Sequence, residues 1–197
     1  MDYSHKSAEL GKCDLTAALR NAIAAVAARA QAASSLAALV VAVVAGVREI
    51  GRTLVTQELE RRDQAFRARQ VEVRCPAPTC GGVMQRCKNL KLVGRYTLLG
   101  KVRYWRCSYR CPQCGRRLFP LDHSLSLGAA LRGHSEEFAS TLVLLCTLMP
   151  FGKGCELFER LCGFAISTRL ACALTMGIGT RLHREEMQRA EQLWRER

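Results

Sequence analysis

Apolar residues recur at helical spacing toward both ends of this chain and alternate only in its middle. Residues from about Leu15 to Arg69 form the first helical stretch, Ala-rich from Ala17 to Ala33. After it, Leu36, Val40, Val43, Val47, Ile50 and Leu54 follow at alternating steps of four and three, one apolar stripe that wants a partner in a packed helical hairpin or a dimer seam. Beyond Gly51 polarity rises through Gln57, Glu58, Glu60, Arg61, Arg62 and Asp63, which predicts a solvated, charged helix end. In the middle, Met84 to Val93 and Tyr96 to Cys107 read as strands, interrupted at Gly94 and turned at Gly100-Lys101. Val102, Tyr104 and Arg106 alternate there with Lys101, Arg103 and Trp105, and one of Tyr104 and Trp105 is expected in the core.

From Ser135 the helical period returns. Phe138, Leu142, Leu145 and Met149 share one face before Pro150, a second helix runs from Lys153 to Leu161 and ends at Cys162-Gly163, and Ser167 offers the N-cap of a third carrying Leu170, Ala173, Leu174 and Ile178. Arg181 to Arg197 is a polar helix. The predicted fold class is therefore mainly α with a small β zinc ribbon. Residues 1–72 form a helical N-terminal region (a packing or dimer helix), 73–122 the ribbon, 123–134 a linker, 135–181 helix-turn-helix-like helices and 182–197 a truncated helix.

Metal chemistry is written in the cysteines of the middle segment. Cys75 to Cys80 and Cys111 to Cys114 are two pairs, each turned by Pro and closed by Gly, the form in which a knuckle presents two thiolates to one metal. Cys80, Cys111 and Cys114 are the expected ligands of a structural zinc, with Cys75 as the fourth. Cys87 and Cys107 lack the turn context and are the alternatives for that fourth position. A redox role for Cys111 and Cys114 is disfavoured by the upstream pair and the missing βαβ pattern. His123 and His134 each stand alone and are expected on an exposed loop, while Cys146, Cys155, Cys162 and Cys172 are expected as small buried apolar residues.

Charge changes the picture from a metal module to a polyanion binder. Most of the net charge of +13 sits on the cysteine segment, because no acidic residue occurs between Glu72 and Asp122 while Arg86, Lys88, Lys91, Arg95, Lys101, Arg103, Arg106, Arg110, Arg116 and Arg117 all do. These ten are the expected phosphate contacts on double-stranded DNA, with aromatic side chains beside them on the sheet. Ser167, Thr168 and Arg169, at the start of the third helix, are the expected readers of bases. The apolar run Leu36 to Val47 has twelve residues, short of the ~20 that span a bilayer, so a membrane-anchored zinc protein is the weaker alternative. The polar N-terminus does not begin a secretory signal, which with clustered cysteines predicts a reducing cytoplasm.

The order of parts resembles one family. Gly51-Arg52 through Glu60, the first cysteine pair, Thr97-Leu98-Leu99-Gly100-Lys101-Val102-Arg103-Tyr104-Trp105-Arg106-Cys107, the Cys111 to Cys114 knuckle, Phe119-Pro120-Leu121-Asp122, Met149-Pro150-Phe151 and Ile166-Ser167 together resemble the N-terminal half of ISKra-type bacterial insertion-sequence transposases of the DDE superfamily. The resemblance covers roughly Ala45 to Arg181, and the first knuckle carries two residues more than the family's Cys-x2-Cys. It implies DNA binding at the ends of an insertion sequence. In complete members a downstream RNase H-like domain with an acidic triad cuts and joins DNA; here the expectation is a truncated transposase keeping the recognition half, a homodimer or a separate catalytic transposase chain being its protein partner. No catalytic residue is assigned, since Glu185, Glu186, Glu191 and Glu196 sit in a charged helix with no strand scaffold.

Overall fold

Two helices, α1 (Leu15–Gln31) and α2 (Leu36–Ala68), open the computed structural model, which describes residues 15–69, 72–125 and 133–196. The expectations placed on residues 1–14, on most of the 123–134 linker and on Arg197 lie outside the described residues. The chain divides between Gly133 and His134 into two units, each described by itself.

In the first unit the predicted helical stretch is broken at Ser35, whose side chain accepts the Ala38 N–H at 3.2 Å and so caps α2. The hairpin forms, but its seam differs from the predicted stripe. Leu36, Val40, Val43, Val47 and Leu54 stay exposed and only Ile50 of that set is half-buried. The seam instead uses Ala42 and Gly46, with Val26 of α1 lying where a Gly46 side chain would stand. An Ala-rich helix gains more contact by drawing its backbone close to small residues than by standing off on valines. Arg29 and Glu49 bridge the same seam at 2.7 Å, but both are about half exposed, so the pair adds little.

The second half of α2 carries the sheet. β3 (Lys91–Thr97) and β4 (Gly100–Arg106) form an antiparallel hairpin with Leu92 opposite Trp105, Gly94 opposite Arg103 and Thr97 opposite Gly100. The turn is Leu98-Leu99, and Gly94 lies within an unbroken strand under the stem of Lys101, where a strand end was predicted. Val102 and Tyr104 face inward against Val55, Leu59 and Phe66 of α2 and Leu121 of α3 (Pro120–Ser124). Tyr104 is fully buried and Trp105 half-buried, as expected of one of the two.

Along one line of α2, polar side chains reach the edge of the hairpin. Arg52 Nη1 donates to the Leu99 carbonyl at 2.8 Å, Glu60 Oε1 accepts the Trp105 N–H at 3.3 Å and Asp63 Oδ1 accepts the Cys107 N–H at 2.8 Å. Asp63 also faces Arg67 Nε at 3.1 Å and has no exposed surface, so the segment predicted as a solvated helix end is in fact the anchor of the sheet. The physical reason is the edge of β4, whose N–H groups must find acceptors once α2 covers them.

Four short strands, β1 (Val73–Arg74), β2 (Val83–Arg86), β5 (Tyr109–Arg110) and β6 (Arg117–Leu118), pair antiparallel in the order β1-β2-β5-β6 beside the hairpin. Three of the four are two residues long, far below what stands alone in water.

The second unit packs α4 (Glu136–Leu148), α5 (Phe151–Cys162) and α6 (Thr168–Arg195) against one another. Ser135 and Ser167 cap α4 and α6 by accepting the Phe138 and Leu170 N–H groups, both at 3.2 Å, and Gly163 in the left-handed region closes α5. Phe138 meets Phe158 edge-on at 5.2 Å, with Phe164 and His134 stacked on Phe138. His134 is thus buried rather than an exposed loop histidine. Cys146, Cys155 and Cys162 are buried as predicted, but Cys172 is exposed. No boundary falls at residue 182, because α6 continues unbroken to Arg195.

Replacing Asp63 should show what the anchor contributes. Asp63→Ala leaves the Cys107 N–H without an acceptor in a buried place and should cost roughly 2–3 kcal/mol in urea unfolding at fixed metal concentration. Asp63→Asn keeps an acceptor and should cost less. An Asp63→Ala protein as stable as the parent would show that α2 does not hold the sheet through this residue.

Candidate metal centre

The turns that build the site repeat one local pattern. After Cys75, Cys80 and Cys111, the N–H groups of Ala77, Gly82 and Gln113, each two residues on, point back at the cysteine sulfur. Gly81 and Gly115 follow the second cysteine of each pair with φ of 58° and 72°, a conformation that side-chain-bearing residues resist. The Cys75 N–H donates to the Gly82 carbonyl at 2.8 Å and the Cys111 N–H to the Arg116 carbonyl at 2.9 Å, so both loops close on themselves. The four residues between Cys75 and Cys80 lie inside this closure, and the Cys75 sulfur still reaches the other three.

Four sulfurs converge as a result. Those of Cys75, Cys80, Cys111 and Cys114 all lie within 4.8 Å of one another, with Cys75 to Cys114 and Cys80 to Cys111 at 3.5 Å. Disulfide sulfurs sit about 2.05 Å apart. A tetrahedral site with metal–sulfur bonds of about 2.3 Å places them about 3.8 Å apart, and the observed spread brackets that value. Cys75 and Cys111 are buried, Cys80 is half-buried and Cys114 exposed, so the site lies at the surface with its inner half in the core. These four cysteines can hold a metal ion, and among the described residues they are the one set of three or more Cys, His or acidic groups close enough to do so.

The local field suits thiolates unevenly until a cation arrives. The N–H groups of Cys114 and Gln113 hold the Cys111 thiol down to about 7. The Gly82 N–H acts in the same direction on Cys80, but the neighbouring Cys111 sulfur and burial outweigh it and push that thiol up to about 12. Crowded thiols of this kind resist a second negative charge, which is the repulsion a bound cation removes.

Cys87 and Cys107 stay outside the set. Burial, with the Asp63 carboxylate second, pushes the Cys107 thiol up to about 12, the behaviour of an inert core cysteine. The Cys87 N–H donates to the Ser108 carbonyl at 2.8 Å, and the residue serves the sheet.

Eight of the ten basic residues proposed from the sequence to meet phosphate stand exposed: Arg86, Lys88, Lys91, Lys101, Arg103, Arg110, Arg116 and Arg117. Arg95 and Arg106 do not, and this corrects their assignment. Arg95 donates to Tyr104 Oη at 3.1 Å and to Asp122 Oδ2 at 3.0 Å, while Arg106 pairs with the same carboxylate and lies over the Phe119 ring at 3.8 Å. Asp122, the first acid after the basic stretch, holds both inside. Their alternation with Val102 and Tyr104 already put Arg106 on the inward face, a signal that the charge count overrode. The residue whose role sequence reasoning missed is Asp63, whose burial has no local signature.

In the second unit Ser167, Thr168 and Arg169 are exposed at the start of α6, Ser167 being engaged as its cap. Among the described residues no helix is long and apolar enough to cross a membrane. No family model matches the chain, and no curated protein or solved structure matches it either.

Proposed function

We propose that the protein is a zinc-dependent DNA-binding protein, acting as the DNA-recognition part of an insertion-sequence transposase. The observation that carries this reading is the set of eight exposed cations on the chain segment that holds the four-cysteine site, none of which pairs with a carboxylate among the described residues. A segment that exposes this many cations and holds no acid of its own between Glu72 and Asp122 carries a concentrated positive field, which favours a polyanion. A soft, all-sulfur tetrahedral donor set favours zinc over calcium or magnesium, and the closed ligand count gives it a structural role. The capped start of α6 supplies Ser167, Thr168 and Arg169 for a groove, in the manner of a helix-turn-helix. The uncovered stripe of Leu36, Val40, Val43 and Val47 favours a second copy of the chain as protein partner.

Purified protein should carry one zinc per chain. Cys111→Ser or Cys114→Ser should release it and unfold the β1-β2-β5-β6 sheet, because structural zinc contributes on the order of 10 kcal/mol in small modules, whereas Cys87→Ser should keep it. Elemental analysis decides, and equal loss from all three variants would remove the assignment.

Binding to labelled duplex, followed by fluorescence anisotropy at several salt concentrations, should weaken steeply with salt, with a log-log slope of roughly −0.9 per phosphate neutralised. Arg103→Ala should flatten that slope by about one and weaken binding to all sequences alike. Arg106→Ala should destabilise the fold, since its partner Asp122 would be left half-paired. Thr168→Ala or Arg169→Ala should change the preference among sequences. A flat salt dependence, or an unchanged slope in Arg103→Ala, would take the sheet off the DNA.

A further inference from the structure

A second concave site lies in the first unit, between the C-terminal end of α2, the short strands of the metal module and α3. It is a cleft of about 430 Å³, the size range of small-ligand sites. Its walls are apolar, with the rings of Phe66 and Tyr109 and the side chains of Val73 and Leu118 among them. Arg69, Arg74 and His123, all exposed, stand among its lining residues, and among the described residues no carboxylate does. Glu72 meets Arg74 at 4.0 Å with both side chains largely in water, a contact that does not neutralise the cleft.

An apolar, partly aromatic floor with cations and no anions calls for a ligand that is flat and unsaturated at one end and negatively charged at the other. We propose that this cleft binds a nucleotide, its base against the walls that include Phe66 and Tyr109 and its phosphate held by Arg69, Arg74 and His123. Base-on-ring packing and charge-assisted contacts to phosphate oxygens are each separately favourable, and here one cavity offers both. Inorganic phosphate alone would leave the apolar floor wet; an uncharged aromatic would leave the cations unused. The nucleotide is either free or an unpaired unit of a strand, and the proposal does not require that the chain bind duplex DNA.

The cleft also depends on the metal module. Tyr109 belongs to the same buried cluster as Cys75, Cys107 and Cys111, and Pro76, which follows Cys75, helps line it. Stripping the metal should therefore dismantle the cleft together with the site.

The test titrates the metal-loaded full chain with adenosine 5′-monophosphate, adenosine and inorganic phosphate in turn, following backbone amide shifts by nuclear magnetic resonance. The expected result is saturable shifts at Val73, Arg74 and Leu118 with the monophosphate, and binding at least about tenfold weaker with adenosine or phosphate. The Arg69→Ala/Arg74→Ala protein, altered only at exposed positions, should lose roughly tenfold or more in affinity while its amide spectrum away from the cleft stays unchanged. Ser124→Trp, at the cleft's exposed rim, should block binding by filling the mouth. Two further arms separate the sources: a hairpin DNA with one unpaired 3′ nucleotide that binds more tightly than the monophosphate and shifts the same amides identifies a strand, and equal or weaker binding identifies the free nucleotide. No saturable shift at millimolar monophosphate, shifts lying elsewhere, or phosphate binding as tightly as the monophosphate would overturn the proposal.

Discussion

The first unit is organised by a constraint on sulfur atoms. Strands of two residues cannot hold a sheet together by ladder hydrogen bonds, and Cys75, Met84, Cys107, Tyr109 and Cys111 make a small core. What brings β1, β2, β5 and β6 into one place is the pair of self-closing loops, which carry four cysteines to within 4.8 Å of one another. Thiols brought that close repel as soon as more than one ionises, so the arrangement gains stability when a cation neutralises it. In the proposed reading that cation is zinc, and folding and metal binding are one equilibrium.

A second layer of interactions fixes the module on its helix. Arg52, Glu60 and Asp63 of α2 meet the backbone at the edge of the β3-β4 hairpin, and Val55, Leu59 and Phe66 cover its inner face. Asp122 draws Arg95 and Arg106 inward and so removes two positive charges from the surface. The remaining cations are thereby sorted to the outside of the sheet, which is the arrangement the proposed DNA contact uses. The basic composition of the segment thus has two causes, an internal ion network and an outward field, and only the second bears on a partner.

Much of this was legible from residue order. Pro and Gly around Cys75, Cys80, Cys111 and Cys114 announced turns with sulfur at defined places, Ser135 and Ser167 sat where helices were expected to start, and alternation put Val102 and Tyr104 inside. Other features lay beyond it for physical reasons. The α1-α2 seam runs through Ala42 and Gly46 because close backbone approach outweighs bulk, whereas a hydrophobicity pattern gives small residues little weight. Burial of Asp63 depends on an N–H donor forty-four positions away in the chain, and no local pattern encodes such a partner. Arg95 and Arg106 look like surface cations until Asp122 is placed beside them.

X-ray absorption at the zinc edge of the purified chain addresses the central claim most directly. The account predicts zinc surrounded by four sulfur atoms at about 2.3 Å. A shell containing nitrogen or oxygen in place of sulfur, or a protein that folds with no bound zinc, would contradict it.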